Sequence, residues 1–141
     1  MSESVTEFAA EYNRIFSRWV DDDMTGLSAL ERDFICANVC LNQSLNGGLM
    51  LYYESTYGNF AEDAVLAFRR MGIPKVARLL EHANRLMGDA GPSRDPDARG
   101  IQLEAMSDEA LEEMVGYSDQ LNAMAGEIKA ASLRWVRSAN V

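Results

Sequence analysis

The stretch Ser28 to Gly48, S-A-L-E-R-D-F-I-C-A-N-V-C-L-N-Q-S-L-N-G-G, decides the fold class. Ser28-Ala29-Leu30-Glu31 is a capping box: the hydroxyl accepts from the third helical N–H, and Glu31 reaches back to the cap residue. Leu30, Phe34, Ala37, Leu41 and Leu45 then recur at the spacing of one buried helical face. Asn46-Gly47-Gly48 ends the run with residues that accept positive φ.

The same grammar extends both ways. Upstream, Ser4-Val5-Thr6-Glu7 reads as a capping box that opens a stripe of Phe8, Tyr12, Ile15, Phe16, Trp19 and Val20. Asp21-Asp22-Asp23 and Gly26 break it. Downstream, an aromatic-rich helical segment runs from Leu49 to Tyr57 and closes at Gly58. Asn59-Phe60-Ala61-Glu62 is read as the cap of a helix with face Phe60, Ala64, Ala67, Phe68 and Met71. Gly72 stops that helix, and Pro74 suits the first turn of the next, which runs to Gly88. Residues 89–100 are predicted as one long loop, near the ~12-residue length beyond which loops tend to be functional or disordered. A short element, Ile101 to Met106, precedes a helix capped by Ser107, and Leu121, Met124, Ile128, Ala131 and Trp135 line a last one. No period-2 alternation long enough for a strand occurs, and there is no internal repeat. The expectation is an all-α, single-domain bundle of about six or seven helices over residues 1–141.

A chain of 141 residues with 48% apolar content buries a core without disulfides. Cys36 and Cys40, four apart on a helix, read as small core residues of a reduced, cytoplasmic protein. The first residues lack the basic and apolar regions of a signal peptide, and no apolar run reaches a membrane span. Catalytic signatures are missing: no phosphate-binding loop, dinucleotide fingerprint or nucleophile elbow. His82 is the sole histidine and reads as a surface residue, so neither a metal site nor a cofactor is expected. Asp95-Pro96-Asp97-Ala98-Arg99-Gly100 fails as a calcium loop. Arg99 stands at an oxygen-ligand position, and Met106 stands where a glutamate is required.

Charge is more informative. The net charge of −9 argues against direct nucleic-acid binding and favours a basic partner. Residues 1–33 carry net −5, including Asp21, Asp22 and Asp23, whereas residues 61–88 carry net +2. From 101 to 128 there are seven acids (Glu104, Asp108, Glu109, Glu112, Glu113, Asp119, Glu127) and no base. Asp108/Glu112 and Glu109/Glu113 are like-charge i,i+4 pairs, which an ordinary solvated helix avoids. Acids four apart lie about 6 Å apart along the helix axis, comparable with the ~7 Å between neighbouring phosphates on a strand. Solubility alone also accounts for such a charge.

The middle of the chain resembles a known family. Leu45-Asn46-Gly47-Gly48-Leu49-Met50-Leu51-Tyr52-Tyr53, followed by Gly58-Asn59-Phe60-Ala61 and Ala64, is similar to a bacterial all-helical family that includes a DNA-mimic protein. The family pattern runs N-G-G-F-x-Q-Y-F-x-N-x-x-G-x-x-A-x-x-A. The likeness extends over residues 28–125, and Asp119 fits an aspartate common near the family's C-terminal helix. Gln43 stands where the family usually has an acid, and Leu49, Leu51 and Ser55 replace its Phe, Gln and Asn; a small-molecule pocket formed by those polar residues in relatives would lose much of its lining here. The resemblance implies an all-helical fold and binding to a DNA-binding protein. Independently, Asn46, Gly47, Gly48, Tyr52, Tyr53 and Gly58 read as structural, with the glycines turning the chain against the tyrosines.

Three function classes follow. The first is a non-enzymatic, acidic protein-binding module: a DNA mimic or inhibitor on the basic surface of a nucleic-acid-binding protein or toxin. The second is a small-molecule or enzymatic pocket near Asn46, Tyr52, Tyr53 and Asp119, where Asp119 would accept hydrogen bonds from the glycine turn. The third is a homodimer formed through Trp135 and Val136.

Overall fold

The computed structural model describes residues 2–22 and 24–138, with the side chains of residues 2–5 and 20–22 outside the description. Among the described residues, seven α-helices succeed one another: α1 (Ser2–Asp22), α2 (Ala29–Glu54), α3 (Ala61–Arg70), α4 (Pro74–Arg85), α5 (Pro96–Glu104), α6 (Asp108–Ala123) and α7 (Ala125–Arg137). A 3-10 turn, Thr56–Phe60, joins α2 to α3. The described residues contain no strand.

α2 is the axis of the bundle, and α1, α3, α6 and α7 all pack on it. The Ser28 capping box forms as expected: the hydroxyl accepts from Glu31 N–H and Glu31 accepts from Ser28 N–H. The larger core combines Tyr52, Tyr53, Phe68, Leu80, Met114, Leu121 and Ile128 from α2, α3, α4, α6 and α7. A second cluster gathers Ile15 and Trp19 of α1 against Phe34, Ile35 and Val39 of α2 and Val136 of α7. Trp19 lies 5.3 Å from Tyr57 and 5.5 Å from Phe60 between ring centroids, which docks α1 onto the 3-10 turn. The Ser4 box falls inside α1, and its side chain lies outside the described residues.

Several boundaries differ from expectation: α2 continues, kinked, past Gly47-Gly48 to Glu54, and Leu121, read into the last helix, lies on α6, since α7 begins only at Ala125. α5 begins at Pro96, so the loop predicted over 89–100 is shorter than read. Asp95 caps it, accepting from Ala98 N–H at 2.9 Å, and Pro96 occupies the first turn. Asn59 does not cap α3, whose N-cap is Phe60 without a side-chain bond. Its amide oxygen is claimed instead by Arg99.

Arg99 is completely buried. Its Nε donates to Tyr53 O at 2.7 Å, Nη1 to Asn59 Oδ1 at 2.9 Å and Ser93 O at 2.7 Å, and Nη2 to Ser55 O at 2.8 Å. None of these acceptors is a carboxylate. Burial pulls its pKa below the usual arginine value. One guanidinium thereby joins the end of α2, the 3-10 turn, the 86–95 loop and α5. The loop is pinned further by Gln102, which accepts from Ser93 N–H and donates to Met87 O and Gly91 O. Gly58 is required by this arrangement, because a Cβ there would lie 2.8 Å from Arg99 Nε and 3.0 Å from Tyr52 O.

Arg99→Leu should therefore lower stability by about 3 kcal/mol or more, since several buried acceptors lose their donor. Gly58→Ala should lower it by about 1–3 kcal/mol through the backbone clash. Urea denaturation measures both, and a wild-type midpoint for Arg99→Leu would contradict the clamp.

Candidate functional site: the acidic face of α6

Ser107 caps α6 by accepting from Ala110 N–H at 3.1 Å, and Asp108 and Glu109 occupy the first turn, where the helix dipole favours anions. At about 100° per residue, the buried Met114, Ser118 and Leu121 define the inner side. Asp108, Glu112 and Asp119 fall within about 40° of one another on the outer side, and Glu109 and Glu113 form a second row beside them. All five are exposed. They span about 16 Å of helix axis, roughly one charge per 3–4 Å, close to the ~3.4 Å per phosphate along one DNA strand. Glu104, at the end of α5, and Glu127, on α7, are exposed as well. Two apolar side chains stand out on the same helices: Ile101 on α5 is 69% exposed and Val115, beside the first row on α6, is 60% exposed.

Ion pairing separates these acids from six others on α1 to α4, whereas Glu54, Glu62, Asp89, Asp95 and Asp97 share their lack of an ion pair among the described residues. Glu31 pairs with Arg14 and Arg18, Glu11 with Arg14, and Glu7 with Arg137. Glu81 pairs with Arg69 and Arg85, and Asp63 with Arg94. The buried Asp33 accepts from Arg70 at 2.6 Å and from Trp135 Nε1 at 3.2 Å. Among the described residues, Glu104, Asp108, Glu109, Glu112, Glu113, Asp119 and Glu127 have no such partner. The second expected acidic patch, Asp21, Asp22 and Asp23, lies outside the described side chains.

The glycine turn is a break within α2. Gly47 (φ −160°, ψ 18°) and Gly48 (φ 79°, ψ 174°) leave helical geometry, and Gly48 sits where an L side chain is strained. The break frees the N–H of Leu49, which donates to Ser118 Oγ at 2.8 Å, while that hydroxyl donates to Met114 O at 2.9 Å. A side chain of α6 thus caps the second half of α2. This corrects the expected role of Asp119, which is exposed because one residue turns about 100° around the helix.

The expected pocket near Asn46, Tyr52, Tyr53 and Asp119 does not assemble. Tyr52 and Tyr53 are buried in the main core, and Tyr53 Oη donates to Asn84 Oδ1 at 2.5 Å. Asn46 and Asp119 are exposed, and none of the four lines either of two surface cavities, one between α1, α2 and α7 and the other around Asp33. Trp135 and Val136 serve the chain's own packing, with Val136 buried and Trp135 held by Asp33, so they do not form a free apolar face. His82 is exposed beside Tyr117. Cys36 and Cys40 are free and buried, and burial pushes the Cys36 thiol up to about 12. No group of three or more metal-binding side chains occurs among the described residues, and no described helix is long and apolar enough to cross a membrane.

An all-α bundle with a segregated acidic face is the class of protein that fold and surface define. The family described as DMP19-like protein matches residues 25–139, and the chain belongs to that family. The match agrees with the family that the middle of the chain resembles. No curated protein and no solved structure matches the chain.

Ser118→Ala should destabilise the fold by about 1 kcal/mol, the usual value of a lost cap. Asp119→Asn should stay within about 0.5 kcal/mol of wild type, as for other exposed substitutions. Thermal melts of the two variants compare the neighbours directly, and the reverse order would return the cap to Asp119.

Proposed function

We propose that the chain acts by binding rather than by catalysis, as a DNA mimic that occupies the basic surface of a nucleic-acid-binding protein. The observation that carries this reading is the two-row strip of unpaired carboxylates on α6, with a linear charge density like that of a nucleic-acid strand. Seven arginines are engaged by acids on α1 to α4 and, among the described residues, none by the strip, which keeps its charge for a partner. A partner's lysines and arginines gain from it as they do from phosphates, through complementary potential and rapid, salt-dependent encounter. Val115 adds apolar contact beside the charges, which supports docking on a protein rather than solubility alone. An inhibitor of a basic toxin or nuclease would use the same face in the same way.

Immobilised wild-type protein should retain a basic partner from native lysate at about 50 mM salt and release it by about 500 mM, where the screening length falls to a few ångströms. Duplex DNA should compete for that partner. The variant Asp108→Asn/Glu109→Gln/Glu112→Gln/Glu113→Gln should retain at least about tenfold less, each tenfold being about 1.4 kcal/mol. Equal retention by this variant, or binding indifferent to salt, would count decisively against mimicry.

A further inference from the structure

Away from the acidic face, α1, α2 and α7 leave an open groove of about 580 Å³, a volume typical of small-ligand sites. Gly126 and Ala130 present almost no side chain on the α7 wall, and the lining is mainly apolar, with Phe8, Leu41 and Leu133 beside the neutral amides of Asn13, Asn38 and Asn42. The charge of the lining is opposite to that of the molecule. Among the described residues, Lys129, Arg134 and Arg137 line it and no acid does, in a chain of net charge −9. Arg137 is answered at the rim by Glu7 at 2.9 Å. Arg134 has no ion pair among the described residues, and Lys129 Nζ stands 5.5 Å above the Phe8 ring centroid. Cations beside an apolar trough match one ligand chemistry: a single anionic head on an apolar body.

We propose that the groove binds an amphiphilic carboxylate, its aliphatic or aromatic body against Phe8, Leu41 and Leu133 and its head at Lys129 and Arg134. Binding there is independent of the α6 strip. Tyr12, in the same lining, keeps its phenol proton far above neutral pH, because burial, chiefly, pushes its pKa up to about 12. It adds a neutral donor and no competing negative charge.

Isothermal titration of the full chain with decanoate, below its micelle concentration, should show saturable one-to-one binding. Decanol should bind at least about tenfold more weakly, and Lys129→Gln/Arg134→Gln should lose about tenfold or more, because only the head contacts are removed. Ala130→Trp should fill the trough and abolish binding while circular dichroism keeps the helical signal. The double variant, confined to exposed side chains, remains informative if Ala130→Trp fails to fold. Non-saturable uptake, or equal affinity for decanol or for the double variant, overturns the proposal. Light scattering that finds a ligand-free dimer dissolved by Ala130→Trp would assign the groove to a second copy, and also overturns it.

Discussion

The guanidinium of Arg99 lies beyond the reach of water and meets only neutral oxygens. A buried charge without a counter-ion is tolerated only if its donors are satisfied and the local field is favourable. Both conditions hold. Two acceptors, Tyr53 O and Ser55 O, belong to the C-terminal end of α2, where unpaired carbonyls concentrate partial negative charge. The same side chain fixes Ser93 and Asn59, so it sets where α5 starts and, through α5, where α6 sets out. Gly58 has no Cβ because the space belongs to this arginine. The position of the acidic face therefore depends on a cation that never touches it.

Rotation of that face is set by a different contact. The break at Gly47-Gly48 exposes one N–H, and Ser118 turns inward to receive it. With Ser118 inward, helical geometry sends Asp108, Glu112 and Asp119 outward, and Glu109 and Glu113 beside them. A feature of the backbone in α2 thus decides which side of α6 meets solvent. The arginines complete the division by engaging acids elsewhere, on α1, α2, α3 and α4.

Legibility in the sequence follows the range of each interaction. The capping box at Ser28, the cap at Ser107, the stop at Gly72 and the first-turn Pro74 depend on neighbours within a few residues, and all formed as read. Asn59 was misassigned because its true partner lies forty residues away, and nothing local signals an arginine's demand for an acceptor. The Asp95-Pro96 pair is a local cap, but a polar, proline-containing context concealed it within a loop reading. Acids on α6 were legible as a base-free run. Their freedom from ion pairs was not, since pairing is a property of the assembled surface. The α1–α7 groove was illegible for the same reason, because three separated segments contribute its lining.

A row of like charges that nothing neutralises is a stored repulsion within α6. Mobile ions relax it by screening, so added salt favours the folded helix slightly even as it loosens a charge-driven complex. Folding and association then respond to ionic strength with opposite signs. A cationic partner of the kind proposed would perform the screening itself, and the repulsion released in α6 would add to what it gains at contact. The free protein thus carries a small internal strain in α6 that salt relaxes, and that a cationic neighbour would relax in the same way.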